Sequence, residues 1–483
     1  MQPNIRLLTE DLLNQILDEA FQLMIQTGIK VQSLEARNLL LEAGARVDKV
    51  NEVAYIPEKA VRQALESAPQ EFNLYNQDGD PVVCYGGDAV QFDPGSSGVH
   101  MLDSDTLDHR PAKTSDLIEL VKIAEMLPQY DAQSTAVVCS EIPKEIGDLY
   151  RLYIVLKFSA KPIVTGAFSS KTLHHMIEML SIMSGGQDSL IEKPRAVFDV
   201  CPSPPLIWSE FGCQNLIELA QAGVPAQIVS MPLAGAAAPV TLLGSVVQHA
   251  AECLSGITIH QLAQAGSPIV WGGAPAIFDM RQGTTPMGAI ETAMIDACYA
   301  QVGKSLDLPT HTYLGASDAK VIDYQAGLES GISAVIGALA GINMISGAGM
   351  LDFLACQSVE KLVVDAEGIA MAKRLLEGVQ ARTDPLALQM FEGINFRGDF
   401  LKQRTTRDLF SLEQNLPSKV IDRSSIRSWQ LEGRQDTFSR AKKRSQQLLE
   451  DYQLPRLPDK ELKELDQLVL SLAEEAGISN LSV

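Results

Sequence analysis

The sequence predicts an α/β fold, a (β/α)8 barrel of the TIM type carrying an N-terminal α+β extension and a C-terminal helical tail. Three observations lead there. Short, nearly continuous apolar runs recur from about residue 115 onward, among them Ala196-Val-Phe-Asp-Val200, Ala226-Gln-Ile-Val-Ser230 and Pro268-Ile-Val-Trp-Gly272. Longer stretches with helical apolar spacing separate them, such as Leu173–Ser184, Cys213–Ala222, Leu243–Gln264 and Gly288–Leu306. That alternation is the mark of a parallel sheet covered by helices. Several helix-to-strand joints also place Gly before the next strand, as at Gly223, Gly266 and Gly341, where it supplies a left-handed helix cap.

In chain order, residues 7–30 and 33–45 have helical spacing, Val53–Pro57 reads as a short strand, and a helix follows through Ala60 and Leu65. Phe72–Tyr75 and Pro81–Tyr85 read as strands around the Asp78-Gly79 turn. This α+β extension is assigned to residues 1–112, the barrel to 113–404 and a C-terminal helical extension to 405–483. Barrel strands are expected at Thr135–Cys139, Pro162–Gly166, Ala196–Val200, Ala226–Ser230, Pro268–Gly272, Thr310–Leu314 and Ile342–Ser346. Seven runs are visible; no run announces the eighth strand. In the tail, Arg434–Tyr452 and Pro458–Ala476 read as surface helices with alternating charge.

A formal charge of −21, from 39 basic against 60 acidic residues, repels phosphate backbones and anionic membranes, so neither nucleic acid nor a membrane is an expected partner. The first residues lack the basic and apolar regions of a secretory signal, and the longest apolar runs are broken by Gly and Asn. Seven scattered cysteines without CxxC spacing fit neither a disulfide framework nor a structural zinc site. The cytoplasm is the expected compartment, and self-association into a homo-oligomer stays open. Phosphate-loop, dinucleotide, HExxH and GxSxG motifs are absent from the sequence. His249 and His260 share a helical face with Glu252, but an outer barrel helix is the wrong place for a catalytic metal, and no metal is expected.

In such barrels the active site lies at the C-terminal ends of the strands. That rule selects Glu210, Phe278, Asp279, Arg281, His311, Tyr313 and Phe353, with Asp318 and Lys320 just beyond the strand at 310–314. Aromatic faces beside carboxylates suit a quaternary ammonium, which has no hydrogen to donate. Tyr313, Phe278 and Phe353 are therefore the expected ammonium contacts, with Glu210 or Asp279 nearby, and His311 or Arg281 the expected donors to a substrate carboxylate. A single aromatic at a strand end is more often core, and a single Asp there is as readily a turn or cap residue.

The chain also resembles the trimethylamine methyltransferase family, in its branch lacking pyrrolysine. The resemblance is carried by Met231-Pro-Leu-Ala-Gly-Ala-Ala-Ala-Pro-Val-Thr241, by Ser317-Asp-Ala-Lys320 continuing to Asp323, Gln325, Ala326 and Glu329, and by Ala340-Gly-Ile-Asn343 running into Gly347–Leu351. Glu360 with Asp365-Ala-Glu367, and upstream Phe92-Asp-Pro-Gly95, Val99–Asp103 and Arg110-Pro-Ala112, add to it. It implies a (β/α)8 barrel that passes a methyl group to a corrinoid (cobalamin) held by a partner protein, since the DxHxxG cobalt-ligating pattern is missing here. Family members acting on trimethylamine carry pyrrolysine, whereas all 483 residues here are standard. The resemblance thus points to a small quaternary amine, glycine betaine foremost, with Asp318, Lys320, Asp323 and Gln325 either binding substrate or shaping the docking rim. A barrel lyase or isomerase acting on a small cation, and a betaine-binding protein without catalysis, are the competing expectations.

Overall fold

Eight parallel strands form one sheet in the computed structural model, which describes residues 2–478 without 393, 395 and 397, and residue 481. They are β1 (Gln91–Pro94), β2 (Gln133–Ser134), β3 (Ile163–Thr165), β4 (Ala196–Val200), β5 (Ala226–Ser230), β6 (Ile269–Gly273), β7 (Thr310–Thr312) and β8 (Met344–Ala348). Neighbours in the chain are neighbours in the sheet, and β8 pairs with β1 through Met344↔Gln91 and Ile345↔Phe92. Beyond β1 and β2 the circle closes by a parallel bridge between Gly98 and Val137, with Gly98 N donating to Ala136 O at 2.9 Å and Val138 N to Gly98 O at 2.8 Å.

The strand invisible in the sequence is therefore β1, which lies ahead of the expected barrel start at residue 113. It has a single large apolar residue, Phe92, between Gln91 and Asp93-Pro94, so no apolar run marks it. The expected strand at Thr135–Cys139 is displaced too: the ladder ends at Ser134, and the apolar run continues past the sheet toward the mouth. β4 and β5 fall on their expected residues.

A helix follows each strand. The longest, Leu242–Ala263, meets the length and hydropathy of a membrane span, yet 78% of its apolar window is buried inside the protein. His249 and His260 lie in it, fully buried, each with its pKa lowered to about 3 by burial. His249 Nε2 lies 3.0 Å from Gly272 O. Among the described residues no group of three or more His, Cys, Asp or Glu side chains could hold a metal.

The Phe72–Tyr75 and Pro81–Tyr85 hairpin closes the N-terminal end of the barrel. Leu74, Val83 and Tyr85 pack with Ala132, Val164, Val197, Val270 and Met344 in one buried cluster. After it, the segment before β1 is clasped by Asn343, whose amide nitrogen reaches Gly86 O at 3.0 Å and Ala89 O at 2.8 Å while its oxygen accepts from Thr310 N at 2.9 Å. The tail is less peripheral than its polarity suggests: helices Thr437–Asp451 and Asp459–Glu475 bury Ala441, Leu448, Leu465, Val469 and Ala473.

Candidate active site

Strands alternate their side chains between two faces, so Val197 and Asp199 of β4 point the same way, into the barrel. Val197 meets the hairpin plug; Asp199 sits one layer higher, where the interior opens. A polar ladder runs up the axis. Tyr85 Oη donates to Gln227 Oε1 at 3.1 Å, and Gln227 Nε2 donates to Asp199 Oδ1 at 2.6 Å. Tyr313 Oη donates to Asp199 Oδ2 at 2.6 Å and lies 3.0 Å from Ser96 Oγ. Burial pushes the Asp199 pKa up to about 6, against the opposing pull of the Tyr313 and Gln227 hydrogen bonds. At neutral pH the carboxylate is mostly charged.

Above it lies a cavity of about 350 Å³ at the C-terminal ends of the strands, open to solvent. Phe168, Phe211 and Tyr313 supply its aromatic walls, Val200, Val229, Met231 and Leu354 its aliphatic ones, and Asp199 its charge. Ser96, Ser97 and Asn215 are further polar members, and the buried Asn215 Oδ1 has no hydrogen-bond partner. An apolar, aromatic pocket with one carboxylate holds a compact cation through ring faces and Coulomb attraction.

Of the residues selected from sequence, Tyr313 lines this cavity. His311 lies behind Tyr313, ring centres 5.0 Å apart, and its Nε2 is 3.0 Å from Ser346 Oγ. Ser346 in turn donates to Asp93 Oδ1 at 2.5 Å. Burial lowers the His311 pKa to about 3 and raises that of Asp93 well above its ordinary value, so His311 stays uncharged, and it is not part of the cavity's lining. Arg281 is exposed and chelates Asp279 at 2.7 Å on the turn after β6, each neutralising the other away from the cavity. Glu210 is exposed at the start of its helix, and the next residue, Phe211, is the one that reaches the pocket. Phe278 is half-buried and absent from the lining; Phe353 faces Lys320, whose Nζ lies 3.8 Å from its ring centre.

The Ser317–Glu329 motif ties the loops of the mouth together. Asp318 accepts from the backbone of Met287 at 2.8 Å and Gly288 at 3.0 Å, while Glu329 accepts from Ser317 Oγ at 2.6 Å and Asp318 N at 2.8 Å. Asp323 caps helix Tyr324–Leu339, Gln325 donates to Glu329 at 2.9 Å, and Lys320 pairs with Asp352 at 2.9 Å. Sequence reasoning missed Asp199, Phe168 and Phe211. For Asp199 a signal was present: a carboxylate on the inward face of an otherwise apolar strand.

The fold is that of the (β/α)8-barrel class, with an aromatic, carboxylate-bearing cavity at the end where such barrels place their active sites. The sequence profile of the trimethylamine methyltransferase family (MTTB) matches residues 1–477. This chain belongs to that family and is a methyltransferase. It is 29% identical over 94% of its length and 91% of the relative's to trimethylamine methyltransferase MttB of Desulfitobacterium hafniense (strain DSM 10664 / DCB-2). It is 30% identical to MttB1 of Methanosarcina acetivorans, covering 98% and 96% of the two chains. Glycine betaine methyltransferase of Desulfitobacterium hafniense (strain Y51) is 28% identical over 98% of each chain. The crystal structure of the Methanosarcina barkeri monomethylamine methyltransferase (MtmB) shares the fold, with a TM-score of 0.54 over 92% of this chain and 89% of that one at 12% identity.

Proposed function

We propose that this methyltransferase takes a methyl group from a small quaternary amine of the glycine betaine type and passes it to the corrinoid of a partner protein. The observation that carries the reading is the single carboxylate, Asp199, at the floor of an aromatic cavity on the catalytic end of the barrel. The relative named glycine betaine methyltransferase supports the substrate class, as does the wholly standard residue set.

A quaternary nitrogen already carries its positive charge, so its departure as a neutral tertiary amine requires no general acid. The chain's tasks are positioning and exclusion of water. Phe168, Phe211 and Tyr313 would face the ammonium methyls, and Asp199 would balance the charge. Tyr313 and Gln227 hold that carboxylate still through their hydrogen bonds. A reduced corrinoid on the partner would supply the nucleophile for the methyl carbon, with the C–N electron pair staying on nitrogen, while Phe168, Phe211, Tyr313 and Asp199 would hold the ammonium. The rim suits a flat, partly apolar ring: Phe168, Met231, Val240 and Met280 are exposed there, between 41% and 67%. Corrinoid and partner are both part of this proposal, and so is a cytoplasmic setting, with which the seven free cysteines agree.

The test is anaerobic incubation of the protein with reduced cobalamin and a panel of quaternary and tertiary amines, following the absorbance change to methylated cobalamin. Glycine betaine or a close analogue should be demethylated. Turnover of trimethylamine with none of any betaine would overturn the substrate class.

A further inference from the structure

Arg151, on helix Gly147–Phe158, is 1% exposed. Its Nη1 donates to Ser97 Oγ and to Thr135 O, both at 3.1 Å, but Nε and Nη2 have no hydrogen-bond partner. These two nitrogens form one edge of the guanidinium, the edge that grips a carboxylate with two parallel hydrogen bonds. The nearest candidate counter-ion on its own helix, Asp148, spends its oxygens elsewhere. Asp148 Oδ2 accepts from Phe168 N at 2.6 Å and Thr172 Oγ1 at 2.5 Å, and Oδ1 from Leu149 N at 2.8 Å. A buried cation with an open fork is costly unless something fills it.

Ser96 and Ser97 connect the two charges. Ser97 has a φ of 61°, and this left-handed turn lets consecutive side chains serve opposite partners: Ser96 meets Tyr313 and thereby Asp199, while Ser97 meets Arg151. Both serines line the cavity. The Phe168 ring also lines it and lies over the guanidinium, 4.5 Å from Cζ to the ring centre, with 54% of the residue exposed.

We infer that Arg151 is the carboxylate anchor of the site, with Phe168 as the side chain that must swing aside to admit the anion. The cavity then has a negative pole at Asp199 and a positive pole at Arg151, and it selects zwitterionic quaternary amines over simple cations of the same head group. This inference rests on the cation reading of the same cavity but goes beyond it, since a cation site alone needs no arginine.

Calorimetric binding to the isolated protein, without corrinoid, tests it with glycine betaine, its uncharged amide and tetramethylammonium. Wild type should bind glycine betaine about 10- to 100-fold more tightly than either of the others, the range of a charge-assisted hydrogen-bond pair. Arg151→Met should remove that preference while leaving tetramethylammonium affinity within about twofold; Arg151→Lys, which keeps the charge and loses the fork, should retain part of it. Equal affinities of wild type for the three ligands would overturn the anchor, whether or not the variants fold. Equal loss of all three ligands in a folded Arg151→Met would do the same. If wild type binds none of them, the cation reading itself fails, and the anchor with it.

Discussion

Asp199 carries the charge of the pocket, and burial, opposed by its hydrogen-bond partners, sets when that charge is present. On the proposed function a permanent cation binds the ionised carboxylate, so its affinity should be full above pH 7 and fall as pH drops through about 6, where Asp199 takes up a proton. Calorimetry with a quaternary amine at pH 5 and pH 7.5 reads this directly. Tyr313→Phe keeps the ring and removes a hydrogen bond that holds the carboxyl down. The midpoint of the loss should therefore move to higher pH. Asp199→Asn should weaken binding by about tenfold or more and flatten the profile. Part of this was legible in the sequence, since Tyr313 follows from the strand-end rule. His311 was misplaced because the same rule does not fix depth: two residues before Tyr313 on the same inward face, it sits a layer lower, against Ser346 and beneath the cavity. Phe168 sits just ahead of a helix and Phe211 in the first turn of one, where an aromatic reads as ordinary packing.

At the scale of elements, β8 must approach the chain leaving β7 very closely. Gly347 makes this possible: a Cβ there would collide with Leu314 O and lie 2.7 Å from Tyr313 O. Both are backbone atoms, so Gly347→Ala must displace the segment that carries Tyr313. It should cost about 1–3 kcal/mol in denaturant unfolding and raise KM for the amine. The Asn343 clasp is the second element-level device. Asn343→Ala leaves buried carbonyls near Gly86 and Ala89 without their donor, and about 2–4 kcal/mol should be lost in urea titrations. The same elements show where sequence reading ran out. β4 and β5 are apolar over most of their length and could be placed to the residue. β1 is defined by what it pairs with, and its own four residues carry no period.

For the molecule as a whole, the tail belongs to the packed body. Tyr153 Oη donates to Asp466 at 2.6 Å and Tyr452 Oη to Phe158 O at 2.7 Å, alongside the buried Leu465 and Val469. Truncation after residue 457 should lower the melting temperature, each lost core side chain being worth about 1.5–3 kcal/mol, even though nearly half of the removed helix is charged. The hairpin at the far end matters in a different way. By stoppering the base of the barrel it leaves the mouth as the way in, among the described residues, and on the proposed function that mouth is where the methyl acceptor must sit. A spent amine then has no rear exit and waits until the acceptor protein has departed. Turnover should accordingly follow a compulsory order, with the demethylated amine released last and acting as a competitive inhibitor against its parent.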